Sequence, residues 1–324
     1  MTEIGGGAFR GCTSLESIDI PNSATKIGGG AFRGCTSLES IDIPDSVTKI
    51  GGGAFRGCTS LESIDIPNSV TEIGKNAFSG CTDLESIVIP NSVTEIGGGA
   101  FDGTQWLDKQ FNVVYINSFL YKYKRTTNDS HFEIKKGTSC ISDYAFYNCT
   151  SLESIVIPDS VTEIGGNAFS GCTSLKSIDI PDSVTEICES AFDGCTSLES
   201  IVIPNSVRVI GGYAFSGCTS LKSIVIPNSV RGIYWGAFRG CTSLESIDIP
   251  NSVTKIGSYV FEGCTSLKSI HSAIEKVDDI VIGNDTFNGI DMEECILYVP
   301  AGTRWAYRHH KVFGRFKNIE IESK

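Results

Sequence analysis

An Ala-Phe pair recurs every 23 residues along most of this 324-residue chain, and that period constrains the fold more than any other feature. It marks Phe9, Phe32, Phe55, Phe78 and Phe101, then Phe146, Phe169, Phe192, Phe215 and Phe238, with degenerate copies at Val260-Phe261 and Thr286-Phe287. A fixed period of this length signals stacked supersecondary units, none of which buries a core alone. One unit, residues 28–50, reads GGGAFRGCTSLESIDIPDSVTKI. Leu38, Ile41 and Ile43 supply alternating apolar positions, so Ile41 and Ile43 point inward while Ser40 and Asp42 point outward. Pro44 ends that strand because it offers no N–H to a neighbour. All ten prolines follow Ile or Val, and nine of them end a unit's strand in this way, while Pro300 follows Leu297-Tyr298-Val299. Ser46 to Ile50 predicts a second short strand, and Gly51 to Gly53 a turn. Ala54, Phe55 and Cys58 have the spacing of one helical turn with an inward face.

These units predict a solenoid of about twelve turns, curved and strand-dominated, with a parallel sheet along one face and short helical or 3-10 turns. The segment L-x-x-I-x-I is the strand signature of a leucine-rich repeat. The unit I-P-[ND]-S-V-T-[EK]-I-G-G-x-A-F-x-G-C-T-S-L-[EK]-S-I resembles the repeat of the BspA-like leucine-rich repeat family of bacterial surface proteins. The resemblance covers most of residues 1–300. It implies an α/β horseshoe-like leucine-rich repeat fold, secretion or cell-surface display, and roles in adhesion, binding of host or matrix proteins and coaggregation.

Two segments leave the period. Phe101 and Phe146 are 45 residues apart, and counting back from Phe146 places Phe132 and Ile134 on strand positions. The extra segment therefore lies at about 104–130. Val113 to Ile116, then Asn117-Ser118, then Phe119 to Tyr123 predict a hairpin. Residues 104–136 carry six Lys/Arg against three Asp/Glu, in a chain of net charge −12. The insertion is either a structural flank or a ligand-binding protrusion, with Tyr121, Lys122, Tyr123 and Lys124 as its candidate contacts. Residues 301–324 form the other departure. Thr303 to Phe313 predicts a short helix with Trp305 or Ala306 spaced toward His309 and Phe313, and residues 318–322 a last strand, together a C-terminal cap. The chain starts in mid-unit, since Met1 to Gly5 matches Val-Thr-Glu-Ile-Gly elsewhere, and shows no signal peptide. The expectation is a truncated N-terminus whose uncapped turn associates end to end with another copy.

Chemistry-bearing residues are few. Ten of the thirteen cysteines (12, 35, 58, 81, 149, 172, 195, 218, 241 and 264) share one register, with Thr104 in the slot of the fifth unit. Neighbours near 5 Å are within reach of a disulfide by distance, but parallel stacking does not by itself supply the dihedral. A reduced core ladder is the reading, with scattered disulfides or metal as the alternative. Cys140, Cys188 and Cys295 are off-register, and Cys188 replaces a turn glycine. No C-x-x-C occurs, the four histidines sit in no catalytic motif, and the glycine runs lack the Lys-Ser/Thr ending of a phosphate loop. No catalytic residue, metal or cofactor is assigned. The acidic balance excludes non-specific nucleic-acid binding, and no apolar run suggests membrane insertion.

Two sets of outward positions remain. One strand column runs through Asp19, Asp42 and Asp65, then Val88, and on to Asp248, His271 and Tyr298, lining the exposed face. On the turns, Tyr213, Tyr234, Trp235 and Tyr259 replace small residues in three successive units, as Tyr144 does earlier. Exposed aromatics on neighbouring turns are good interface anchors. These features point to a noncatalytic module binding a protein or glycan partner, of host or matrix origin by the resemblance. The alternative is a structural spacer projecting another domain from the cell surface.

Overall fold

The computed structural model describes residues 2–124 and 129–322. The chain is a strand-dominated parallel β-solenoid of about thirteen turns of roughly 23 residues. It comprises two compact units, residues 1–126 and 127–324.

In the first unit, two-residue strands Lys26–Ile27, Lys49–Ile50, Glu72–Ile73 and Glu95–Ile96 form one parallel sheet, each residue facing its equivalent 23 positions on. Ser63–Asp65 pairs in the same way with Ser86–Val88 on a second face. The Pro at each corner fixes where one strand stops. On the first two rungs the second face is reduced to a single bridge, Asp19 to Asp42. In the second unit the second face becomes a seven-stranded sheet from Ser177–Asp179 to Asn318–Ile321, and a five-stranded sheet runs from Glu186–Ile187 to Val281–Ile282. The realignment across the insertion holds, with Phe132 opposite Ile155 and Ile141 opposite Ile164.

The third face departs from the expected helical turn. Ala54, Arg56 and Cys58 N–H groups donate three residues back, at 3.1, 3.1 and 3.0 Å, but the alternate N–H groups leave the rung. Gly53, Phe55 and Gly57 donate to Lys75, Ala77 and Ser79 carbonyls on the next rung at 2.8–2.9 Å. A single isolated helical turn is unstable. Half of its donors therefore bond between rungs, which turns this face into a ladder as well. Gly51 belongs here because a Cβ would lie 2.6 Å from Gly29 N.

Inside, the phenylalanines form stacks. Phe9, Phe32, Phe55 and Phe78 have ring centroids 5.2–5.3 Å apart with planes within 6° of parallel. The cysteine ladder lies beside them. All thirteen cysteines are free thiols, and every ladder member except the exposed Cys12 is buried. The Cys58 thiol donates to Phe32 O at 3.1 Å, and the same bond recurs from Cys35 to Phe9 and onward to Cys264. Each such carbonyl also accepts its own rung's Cys N–H, so both lone pairs are used. Burial pushes the Cys35 thiol up to about 11 and Cys264 to about 12. Polar repeat residues act between rungs too: Ser46 and Ser69 donate to Ala24 O and Val47 O, each at 2.6 Å.

Both departures from the period seal a stack. In the first unit, helix Gln105–Lys109, N-capped by Thr104, leads into the antiparallel hairpin Val113–Ile116 and Phe119–Tyr123. Trp106 and Tyr121 lie edge-on against Phe101 at 5.3 and 5.5 Å. The Tyr121 hydroxyl accepts the Phe101 N–H at 2.9 Å, replacing the carbonyl of a missing rung. Residues 125–128 of the expected insertion lie outside the described residues. In the second unit, Phe313 and Phe316 close Phe287 at 5.7 and 5.1 Å. The helix is Arg304–His309. Its inward residue is Tyr307, bonded to Ser272 Oγ and Ile274 O, whereas Trp305 is exposed and stacks on His309 at 4.3 Å. The spacing pointed to Trp305 or Ala306. Tyr307 wins because only its position puts a ring and a hydroxyl beside the buried carbonyl of Ile274.

Candidate binding surface

The eleven candidate residues fall into three separate places. Asp19, Asp42 and Asp65 stand exposed on successive rungs of the first unit. The same strand position holds an exposed Val88 on the next rung of the first unit, and exposed Val202 and Val225 within the second unit. Among the described residues no hydrogen bond or ion pair joins these three carboxylates to one another or to a cation.

The hairpin residues are mostly occupied by structure. Tyr121 is 2% exposed and belongs to the cap on Phe101, which corrects the expectation that it is displayed. Lys124 is drawn inward as well: its ammonium donates to the Leu107 and Gln110 carbonyls, and burial lowers its pKa. Lys122 reaches Asp102 at 3.9 Å, and Tyr123 is half-buried at the strand end. The aromatic that does protrude from the insertion is Phe111, 83% exposed. It has no periodic partner, and only its place before the hairpin hints at display.

The turn aromatics do come together. Tyr213 and Trp235 have ring centroids 5.5 Å apart, and Trp235 and Tyr259 5.8 Å, so three rings run across three rungs. Trp235 is 50% exposed and Tyr234 lies just beside it on the same turn. Lys255 Nζ sits 4.7 Å from the Tyr234 ring centre, a cation–π contact. Gly232, where other rungs carry Lys, Glu, Val or Cys, makes room for that ring: a Cβ there would meet Tyr234 Cε2 at 2.9 Å. Tyr213 and Tyr259 hold left-handed backbone, φ 56° and 60°. Equivalent positions on other rungs are Gly30, Gly53, Asn76 and Asn167, residues that adopt this region readily. A tyrosine there carries roughly 1 kcal/mol of backbone strain. Tyr144, the earlier turn aromatic, shares the conformation but packs with Tyr147 instead. Cys188, which replaces a turn glycine, is half-buried, and burial beside carboxylates pushes its thiol up to about 12.

Among the described residues no group of three or more His, Cys, Asp or Glu is placed to hold a metal ion. Among the same residues no helix is long and apolar enough to cross a membrane.

The geometry agrees with what other proteins share with this chain. A leucine-rich repeat protein of T. pallidum is 36% identical over 55% of this chain and 86% of its own, with a TM-score of 0.51. One from Eubacterium ventriosum is 27% identical over 89% of this chain and 80% of its own, with a TM-score of 0.52. A leucine rich cell surface protein of Faecalibacterium prausnitzii is 29% identical over 87% of this chain and 86% of its own, at a TM-score of 0.41. No curated protein matches the chain. The sequence profile of the BspA type leucine rich repeat region, six copies long, matches residues 2–124, 114–208 and 187–300. The chain thus belongs to the BspA-type leucine-rich repeat family.

Proposed function

We propose that this protein is a noncatalytic binding module, secreted or displayed at a bacterial surface, that holds a protein or glycan partner through Tyr213, Tyr234, Trp235 and Tyr259. Within this reading residues 1–300 are the scaffold and 301–324 close it. The observation that carries the reading is the pair of strained tyrosines flanking Trp235. Strain at a bulky left-handed residue persists only where something else favours the residue. Here burial does not, because the rings form an open aromatic row with Trp235 half in solvent. Rigid amphipathic rings on neighbouring turns are what an interface uses as anchors.

The test exchanges these residues for those of other rungs: Tyr213→Asn and Tyr259→Asn, as at Asn76 and Asn167, with Trp235→Gly, as at Gly52. Because the fold already uses these residues there, stability should hold or rise slightly. Adhesion to immobilised matrix proteins and to a glycan panel should fall. Adhesion that survives the triple exchange defeats the reading. The near-identity of the rungs favours a second reading, a spacer that projects another domain; it predicts no adhesion by the parent protein either.

A further inference from the structure

The same corner of the rung that carries aromatics in the second unit is bare and basic in the first. Four of the six Lys/Arg in residues 1–103 line one open groove there: Arg10, Arg33 and Arg56 on three successive rungs, and Lys75 on the fourth. The groove measures about 540 Å³, and its floor is the paired turn glycines of those rungs. Among the described residues none of the ion pairs involves these four cations. This is notable because the segment carries six cations against thirteen carboxylates, 6 − 13 = −7. In the second unit the one arginine at this rung position, Arg239, pairs with Glu262 of the next rung at 2.6 Å. In the first unit the next rung offers another arginine, so like charges stand in a row and repel.

The floor presents donors as well. The second turn glycines, Gly29 and Gly52, are exposed, and among the described residues their N–H groups have no partner. The second unit shows what such an N–H accepts as a partner: Gly166 N–H donates to the Asp143 carboxylate of the preceding rung at 2.7 Å. In the first unit that preceding position is glycine, so the carboxylate must come from outside.

We propose that this groove binds a linear acidic polysaccharide, a chain of β-1,4-linked uronate residues laid across the rungs with a carboxylate facing every second rung. The choice follows from spacing. The rungs repeat every 5.2–5.3 Å, measured on the phenylalanine stack beneath. An extended acidic peptide places same-face side chains about 6.6–6.8 Å apart and slips by more than 1 Å at every rung. One extended β-1,4-linked pyranose unit advances by close to one rung and successive units face opposite ways, so same-face carboxylates recur every second rung and stay in step. Single-stranded nucleic acid needs aromatic platforms for its bases, and this floor has none. The site is independent of the aromatic row, and either reading can fail without the other.

The test is fluorescence anisotropy of the full chain with labelled β-1,4-linked oligouronates, from disaccharide to octasaccharide, at low ionic strength. Binding should strengthen up to the tetrasaccharide, matching four cationic rungs, then level off. It should weaken as salt approaches ~0.1 M, where the Debye length falls to about 10 Å. Two kinds of variant report on the site without disturbing the fold. Arg33→Ser with Arg56→Ser copies Ser79, which holds this position on the fourth rung, and should weaken binding about tenfold or more. Gly6→Asp with Gly29→Asp copies Asp143, each carboxylate reaching the N–H of the following rung, and should block the Gly29 and Gly52 donors from within, with an unchanged melting temperature. Absence of binding by the parent protein overturns the proposal. So does binding that either double variant leaves intact, or that polyglutamate or oligothymidylate displaces as readily as an oligouronate does.

Discussion

Removing one hydroxyl, in Tyr121→Phe, isolates what the insertion does for the first unit. Along the stack each Phe N–H finds the Ala carbonyl of the following rung, as Phe78 does with Ala100 at 2.7 Å. At Phe101 the Tyr121 hydroxyl takes that role at 2.9 Å, with both residues buried. The phenylalanine keeps the edge-on ring contact at 5.5 Å and loses only the acceptor. A buried N–H left without a partner costs about 1–3 kcal/mol. Tyr121→Ala also removes the ring and should cost about 3–5 kcal/mol. In urea the first variant should lower the midpoint by roughly 1 M, taking a cost of about 2 kcal/mol and a slope of about 2 kcal/mol/M. Native-state hydrogen exchange supplies the local readout, because the Phe101 amide should lose protection before the amides of Phe55 and Phe78. If Tyr121→Phe leaves both the midpoint and the Phe101 amide unchanged, the hydroxyl does not terminate the ladder and the capping argument is wrong.

Native thiol titration with a disulfide reagent should label Cys12 quickly and Cys188 slowly, with the other cysteines reacting only on unfolding; more than two reactive thiols in the folded protein contradict the ladder. Ser69→Ala, which removes the donor to Val47 O, should cost about 1 kcal/mol, and an effect below experimental error would assign that hydroxyl no role between rungs. Burial lowers the His310 pKa from its ordinary 6.5, and its Nδ1 accepts the Val312 and Phe313 N–H groups at 3.3 Å. The neutral ring is thus the native form. Its contribution is present above pH 6.5 and is lost as pH falls through the lower folded value; the second unit should soften on acidification, and less so in His310→Gln, as followed by thermal melts between pH 7 and 5. For Tyr307 burial raises the pKa to about 12, so its contribution holds below pH 10 and fades as pH rises toward 12, a loss that Tyr307→Phe should remove from an alkaline melting series.

The rungs are readable in the sequence because translation by 23 residues makes one local pattern repeat under one set of neighbours. Strand positions, proline corners, the buried cysteines and the hairpin at Asn117-Ser118 all follow from that. What escapes is whatever depends on a neighbour that the period does not supply. Tyr121 looks like a surface aromatic among lysines, and only the end of the stack makes it core. Thr104 reads as a cysteine substitute, yet its hydroxyl accepts the Leu107 N–H and starts a helix. The expected turn of helix fails for a related reason: spacing alone cannot tell a donor that bonds within its rung from one that bonds to the next. The aromatic row is half-legible. Its residues stand out as departures from glycine, but the left-handed backbone beneath Tyr213 and Tyr259 is visible only in three dimensions. The arginine row was hidden by regularity, since a residue repeated in each unit looks like part of the pattern.

Because aperiodic residues, and not further rungs, seal the stack at Phe101 and at Phe287, the architecture separates length from closure. A rung inserted or removed between the ends changes no packing contact in kind, only how many times each occurs. Unequal recombination between near-identical coding segments can therefore lengthen or shorten the scaffold in whole steps while leaving its seals untouched. Each step adds or subtracts one side chain in every outward column, so charge rows and ring rows grow by copying and then diverge by single substitutions. The surface of such a protein is a tape on which reach is set by copy number and recognition by point change.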